Sequence, residues 1–257
     1  MAQFQKVRLI FGFCLLALII ANQFFDIPFL VYLIPTFLFI FICGKGAANI
    51  QSNFYTDAIC EGKNRKKQIA LTFDDGPNEE VTPQVLALLE KHQLPATFFL
   101  IGHKITGNET IVEQIATAGH LIGNHSYSHS VGFDFKWTAW VRQELVKTQD
   151  IIEKVIGQKV RYFRPPFGVT NPHIAKAAEQ ENYQVIGWNV RPYDAVTNDK
   201  TLVLKRIKEG LQPGSIVLLH DIKPLILEVL EELIPYLKAE GYEVVALDEL
   251  TGEAAYF

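Results

Sequence analysis

The chain has 257 residues, 49% of them hydrophobic and 20% charged. That much charge excludes a wholly membrane-embedded protein, and the apolar content suffices for one packed domain plus an additional segment. The formal net charge is −4, and beyond residue 43 acidic residues outnumber basic ones, which excludes the basic face of a nucleic-acid binder.

The first predicted elements are two apolar runs, 9–25 and 29–43, interrupted by Asn22, Gln23, Asp26 and Pro28. Each is near the short limit for a bilayer span, about 17–25 residues. The continuation to Cys43 argues against a cleaved signal peptide. A two-helix membrane hairpin over residues 1–43 is the preferred reading, ahead of a single span followed by a buried or interfacial helix. A hairpin places both of its ends on one side. Lys6, Arg8, Lys45, Lys63, Arg65, Lys66 and Lys67 flank it and favour the cytoplasmic side. Residues 44–66 read as a polar linker. Of the three cysteines, Cys14 and Cys43 sit in the apolar runs and Cys60 stands alone, so neither a disulfide framework nor a CxxC zinc pattern exists.

From residue 68 onward, short apolar runs alternate with helical patterns. Strands are predicted at 68–75, 96–102, 120–125, 162–167, 184–190, 215–220 and 243–247. Helices are predicted at 79–92, 108–118, 137–156, 172–182, 200–211 and 224–240. Gly119, Gly157 and Gly241 follow three of them, as expected just past a helix C-terminus. The alternation implies a parallel sheet. About seven units are enough to close a barrel; from pattern alone, a doubly wound open sheet is the alternative.

Polar residues recur at the same place in each unit. Asp74 and Asp75 end the first strand, His125 the third and Arg164 to Gly168 the fourth. Asp194 follows the fifth strand and His220 ends the sixth. In β/α barrels the C-terminal strand ends form the active face, so these clusters converge on one mouth. Each alone has an ordinary explanation. Asp and Gly in Thr72-Phe73-Asp74-Asp75-Gly76-Pro77 favour turns, and paired surface histidines or a core histidine are common. Together, Asp75, His125 and His129 offer two imidazoles and a carboxylate, a set that leaves a metal position open for water. Ser126 stands where the zincin pattern would need Glu, so the general base must come from elsewhere. The same ligand trio suits a non-haem iron oxygenase, but that leaves Asp74, Arg164 and His220 without roles.

The ordered segments TFDDGP, HSYSH, RPPFG and LLHD resemble the polysaccharide deacetylases of carbohydrate esterase family 4, the NodB-type domain, over about residues 67–250. The resemblance implies an α/β fold, a distorted (β/α) barrel of about seven strands, here behind the hydrophobic helical anchor and followed by a tail at 251–257. It implies Asp74 as general base and Asp75, His125 and His129 as ligands of a divalent metal, zinc first, cobalt or nickel next. It further implies that Arg164 pairs with Asp74, that the Phe167 backbone N–H binds the oxyanion, that Asp194 tunes His220, the general acid, and that Leu218 lines the acetyl pocket. The implied reaction removes N-acetyl groups from an acetylated glycan and releases acetate. O-acetyl ester hydrolysis, or a catalytically weak carbohydrate-binding homologue, is the alternative. The family usually has a tryptophan directly after the aspartate of its fourth motif; here the residue is Ala195, so one wall of the substrate groove is expected to be missing or to be supplied by Trp188 or Tyr193. The expected partners are an acetylated polysaccharide or oligosaccharide and the membrane, with no nucleic acid and no evident protein partner. A wall-directed enzyme of this kind would face outward, in conflict with the basic residues around the anchor.

Overall fold

The structure, a computed structural model, describes residues 2–63 and 66–257; Arg65 of the basic cluster lies outside the described residues, as do Met1 and Asn64. Helices α1 (Ala2–Ala21) and α2 (Phe29–Ala48) form an antiparallel hairpin. Phe11 stacks on Phe39 with ring centroids 4.4 Å apart, and the Tyr32 hydroxyl donates to the Leu18 carbonyl at 3.2 Å. The large apolar side chains of both helices stay largely exposed.

Helix α2 outruns the expected end at 43, and the stretch expected as a polar linker packs against the domain instead. Its apolar residues explain why. Phe54 and Tyr55 cluster with Ala175 beneath Phe4, Val7, Ile42, Cys43 and Ala47. The Tyr55 hydroxyl donates to the Cys43 carbonyl at 3.1 Å. Further on, Ile59 bridges Ile186 and Glu61 bridges Ser215.

The domain is a curled parallel sheet of strands β1 (Gln68–Gly76), β2 (Thr97–Leu100), β3 (Leu121–Asn124), β4 (Tyr162–Phe163), β5 (Gln184–Val185), β6 (Ile216–His220) and β7 (Glu243–Val244). The order is β5-β4-β3-β2-β1-β6, and β7 pairs with the start of β1. Around it lie α3 (Val81–His92), α4 (Gly102–Ile105), α5 (Glu109–Thr117), α6 (Thr138–Ile156), α7 (Pro172–Gln180), α8 (Lys200–Gly210), α9 (Leu225–Ala239) and α10 (Leu247–Thr251). The central strands are buried along most of their length, as parallel strands covered on both faces must be. Past β5, Val190 bridges Val217 of β6, so the two ends of the sheet meet. The architecture is therefore the distorted (β/α) barrel, and the open doubly wound alternative is set aside.

Most strands are shorter than predicted, β4, β5 and β7 most of all. Pairing in 162–167 stops at Phe163, because Pro165 and Pro166 have no N–H for the ladder. In 184–190 the named strand ends at Val185, and only single bridges follow, Ile186 with Ile59 and Val190 with Val217. The short helices α4 and α10 were not predicted. The expected tail returns to the sheet, where the Arg161 N–H donates to the Ala255 carbonyl at 2.7 Å and Tyr256 bridges Val160.

Candidate active site

The strand ends bring the predicted residues around one cavity of about 200 Å³, lined by both aspartates of β1, His125, His129, Phe167, Trp188, Leu218 and His220, among others. The local backbone is unusual. Asp75, Ser126, His129, Phe167 and Tyr193 all have positive φ, between 46° and 71°. Non-glycine residues rarely adopt this region, and such strain concentrates at functional sites.

Asp74 and Asp75 diverge because the chain twists between them. Asp74 is buried, and its Oδ1 accepts from Arg164 Nη1 at 2.7 Å. The Arg164 guanidinium is itself fully buried. It also donates to Thr72 Oγ1 at 2.8 Å and to the Gly187 carbonyl at 2.9 Å, and it lies 4.0 Å from the centre of the Phe99 ring. Burial works against the guanidinium charge, and the Asp74 carboxylate opposes that effect.

Asp75 Oδ1 lies 3.4 Å from Nε2 of both His125 and His129. This oxygen is buried and accepts no well-formed hydrogen bond. The His125 Nδ1 faces the Arg164 carbonyl at 2.7 Å, a partner that accepts only, so Nδ1 carries a proton and Nε2 is the nitrogen turned toward Asp75. His129 is pushed down to about 4 by burial and by neighbouring His125, which keeps its ring neutral. Burial works against ionisation of Asp75, but the neighbouring His125, His129 and His220 outweigh it and hold the carboxyl well below the usual carboxylate range. Two imidazoles and one carboxylate, with ligand atoms all within 4.8 Å of one another, fit a divalent ion.

On the other side, Asp194 grips His220 twice. Its Oδ2 accepts from the His220 backbone N–H at 2.7 Å, and its Oδ1 lies 3.0 Å from Nδ1. Burial opposes protonation of His220. The bond and charge of Asp194, with Asp74 and Asp75 beyond it, outweigh burial and hold the imidazole above its ordinary value. Leu218 is buried at the cavity wall, Trp188 packs against Gly168, and the Phe167 ring meets the His129 ring edge-on at 4.7 Å. Gly168 has φ +70°, and a Cβ there would collide with the Trp188 ring. Around Ala195 the cavity is lined by buried Trp188, half-exposed Tyr193 and exposed Val196.

Several supporting residues escaped the sequence reading. Glu144 of α6 takes both the N–H and the hydroxyl of Ser128 at 2.7 Å, pinning the loop that carries His129. Asn124 accepts from the Ser126 N–H at 2.9 Å, and Lys104 donates to the Asp75 carbonyl at 2.8 Å. Buried Asp221, pushed up to about 6 by burial, accepts from Thr82 beside Gly76. Glu144 had a readable signal: an acid at helical spacing on the same face as Val141, Leu145 and Thr148, all buried.

Comparison with known proteins agrees with this geometry. The polysaccharide deacetylase family model matches residues 61–186. The peptidoglycan-N-acetylglucosamine deacetylase PgdA of Listeria monocytogenes is 37% identical over 73% of this chain, which spans only 39% of that relative. The peptidoglycan-N-acetylmuramic acid deacetylase PdaA of Bacillus subtilis is 32% identical, covering 77% of this chain and 76% of that protein. The crystal structure of the Bc1960 peptidoglycan N-acetylglucosamine deacetylase superposes with a TM-score of 0.72 at 31% identity, covering 77% of this chain and 94% of the other.

Proposed function

The chain belongs to the polysaccharide deacetylase family, and we propose that it is a metal-dependent hydrolase removing N-acetyl groups from a glycan of the N-acetylglucosamine type. The observation that supports this best is the placement of three groups on one cavity: the Asp75–His125–His129 trio, the Asp74–Arg164 pair and the Asp194–His220 pair.

Asp75, His125 and His129 would hold the ion, zinc by preference with cobalt or nickel as substitutes, and a bound ion supplies Lewis acidity to the acetyl group and to water. Arg164 occupies Asp74 Oδ1, so Oδ2 is the atom that takes the proton of the attacking water. The Phe167 N–H, on a turn stiffened by Pro165 and Pro166, serves the developing oxyanion. His220 passes its proton to the departing nitrogen; the C–N bond breaks and acetate and an amine leave. The exposed apolar hairpin α1–α2 anchors the enzyme in a membrane.

The test is acetate release by the purified full chain from N-acetylated glucosamine oligomers. Chelation should abolish it and zinc should restore it. Asp74→Asn should keep its metal by elemental analysis and lose at least about 10²-fold in turnover, the low end of what acid–base help supplies. Undiminished turnover after complete metal removal, or in Asp74→Asn, would remove the mechanism.

A further inference from the structure

The cavity mouth lies beside the base of the apolar hairpin. Thr170 donates its N–H to the Ala47 carbonyl at the end of α2, 3.1 Å away. Only two residues, Gly168 and Val169, lie between Thr170 and Phe167 at the cavity, at most about 11 Å of chain. Asn171 donates to the Asp134 carbonyl at 2.6 Å, and His173 Nδ1 shares a hydrogen bond with the Thr138 hydroxyl at 3.0 Å, its ring meeting that of Trp137 at 5.0 Å. The loop between β3 and α6 is thus held against the same spot. That loop carries both His125 and His129.

Its surface is apolar where a soluble loop would be polar. Val131 is 91% exposed, Phe135 90% and Trp137 73%. Phe167, Tyr193 and Val196 continue the apolar rim around the mouth. Exposed aromatic residues grouped beside an apolar hairpin match the chemistry of the membrane interface, where rings sit among headgroups.

The vertical position follows from lengths. Exposed Lys6, Arg8 and Lys45 mark where the hairpin leaves the hydrocarbon. Ala47 lies two helical residues, about 3 Å, beyond Lys45. The apolar stretch 29–43 is about 22 Å of helix against a hydrocarbon core of about 30 Å. A span that short draws its docked domain toward the bilayer, and the headgroup layer is only about 5–8 Å deep on each side. The mouth is therefore held in or against the headgroups.

We propose that the loop 131–137 inserts into the membrane interface and that the acetylated sugar taken by the site is carried on a membrane lipid, not on a distant wall polymer. This rests on the deacetylase reading above. It also removes the conflict between the basic residues flanking the hairpin and an outward-facing wall enzyme, since lipid-borne sugars occur in membrane leaflets themselves.

The test reconstitutes the full chain in vesicles of phosphatidylethanolamine and phosphatidylglycerol. It compares triacetylchitotriose carried on a dialkylglycerol in the same vesicles with its methyl glycoside in solution. At equal total sugar, the lipid-borne form should release acetate at least about tenfold faster, because confinement to the membrane raises its effective concentration at the mouth. The double variant Phe135→Ser, Trp137→Ser should lose most of that advantage, about tenfold, and keep the soluble rate within about twofold. Brominated lipids should quench a fluorescence component that Trp137→Phe lacks. Equal rates on the two probes, or quenching unchanged in Trp137→Phe, would overturn the lipid assignment while leaving the deacetylase reading in place. Acetate from neither probe would overturn the deacetylase reading and this inference with it.

Discussion

His220 is held by one carboxylate at two points, and this fixes both where its proton sits and how tightly it is kept. Asp194 bonds the His220 backbone N–H and the ring Nδ1, which leaves Nε2 as the nitrogen to serve a leaving group. The carboxylate raises the pKa against the pull of burial. A general acid works only while protonated, so the rate should fall on the alkaline side as pH passes that raised value. Asp194→Asn removes the charge and leaves burial to act. The alkaline limb should therefore move to lower pH, and an unmoved limb in the pH–rate profile would separate Asp194 from the acid. The Arg164–Asp74 pair makes a different prediction. Both partners are buried, so Arg164→Met leaves an unpaired carboxylate and should cost about 3–5 kcal/mol in denaturant unfolding. A loss below about 1 kcal/mol would mean that water reaches Asp74 in the variant. These residues were legible in the sequence because each ends or closely follows a predicted strand. Thr72, the further Arg164 partner, was not, since one Thr in an apolar strand carries no mark of its role.

The elements explain how ligands four residues apart reach one point. The segment from His125 to His129 is neither helix nor strand. It turns through left-handed Ser126 and His129, and the Ser126 hydroxyl accepts the His129 N–H at 3.1 Å. The turn cannot hold itself, so α6 braces it through Glu144. Glu144→Gln keeps the size but weakens both bonds to Ser128. Metal affinity should fall by about tenfold, the low end for residues that orient ligands, with the fold intact by circular dichroism. Unchanged zinc affinity in a competition titration would make Glu144 a packing residue only. Strand–helix alternation was readable because apolar runs of four or more residues bounded by glycine and polar clusters have few other meanings. The ends of β4 and β5 were misread because apolar composition does not reveal where pairing stops; the prolines after Arg164 did carry that information. Helix α10 was hidden because its five residues, Leu247–Thr251, are too few to show a helical period.

At the scale of the whole molecule, hairpin and barrel share a contact that the sequence did not reveal. The polar residues between them suggested a linker, yet Phe54 and Tyr55 are buried under Phe4, Val7, Ile42, Cys43 and Ala47. The Phe4 N–H donates to the Phe54 carbonyl at 3.1 Å, and Gly46 leaves room for the Phe54 ring. Two aromatics among asparagines and serines look like a solvated segment until the surface they cover is known. The contact makes the hairpin a base for the barrel, and under the proposed membrane anchoring it would set the cavity mouth at a fixed place relative to the bilayer. The full chain should therefore stay with membranes through a high-salt and alkaline wash. A fragment of residues 49–257 would keep every site residue but uncover Phe54, Tyr55 and Ala175. Exposed apolar clusters of this kind drive association, so the fragment should self-associate in sedimentation velocity. The same fragment with Phe54→Ser and Tyr55→Ser should sediment as a monomer and still bind zinc, because neither residue lines the cavity. A monomeric, fully soluble unmodified fragment would show that the hairpin covers nothing the barrel needs covered, and the fixed placement of the mouth would lose its physical basis.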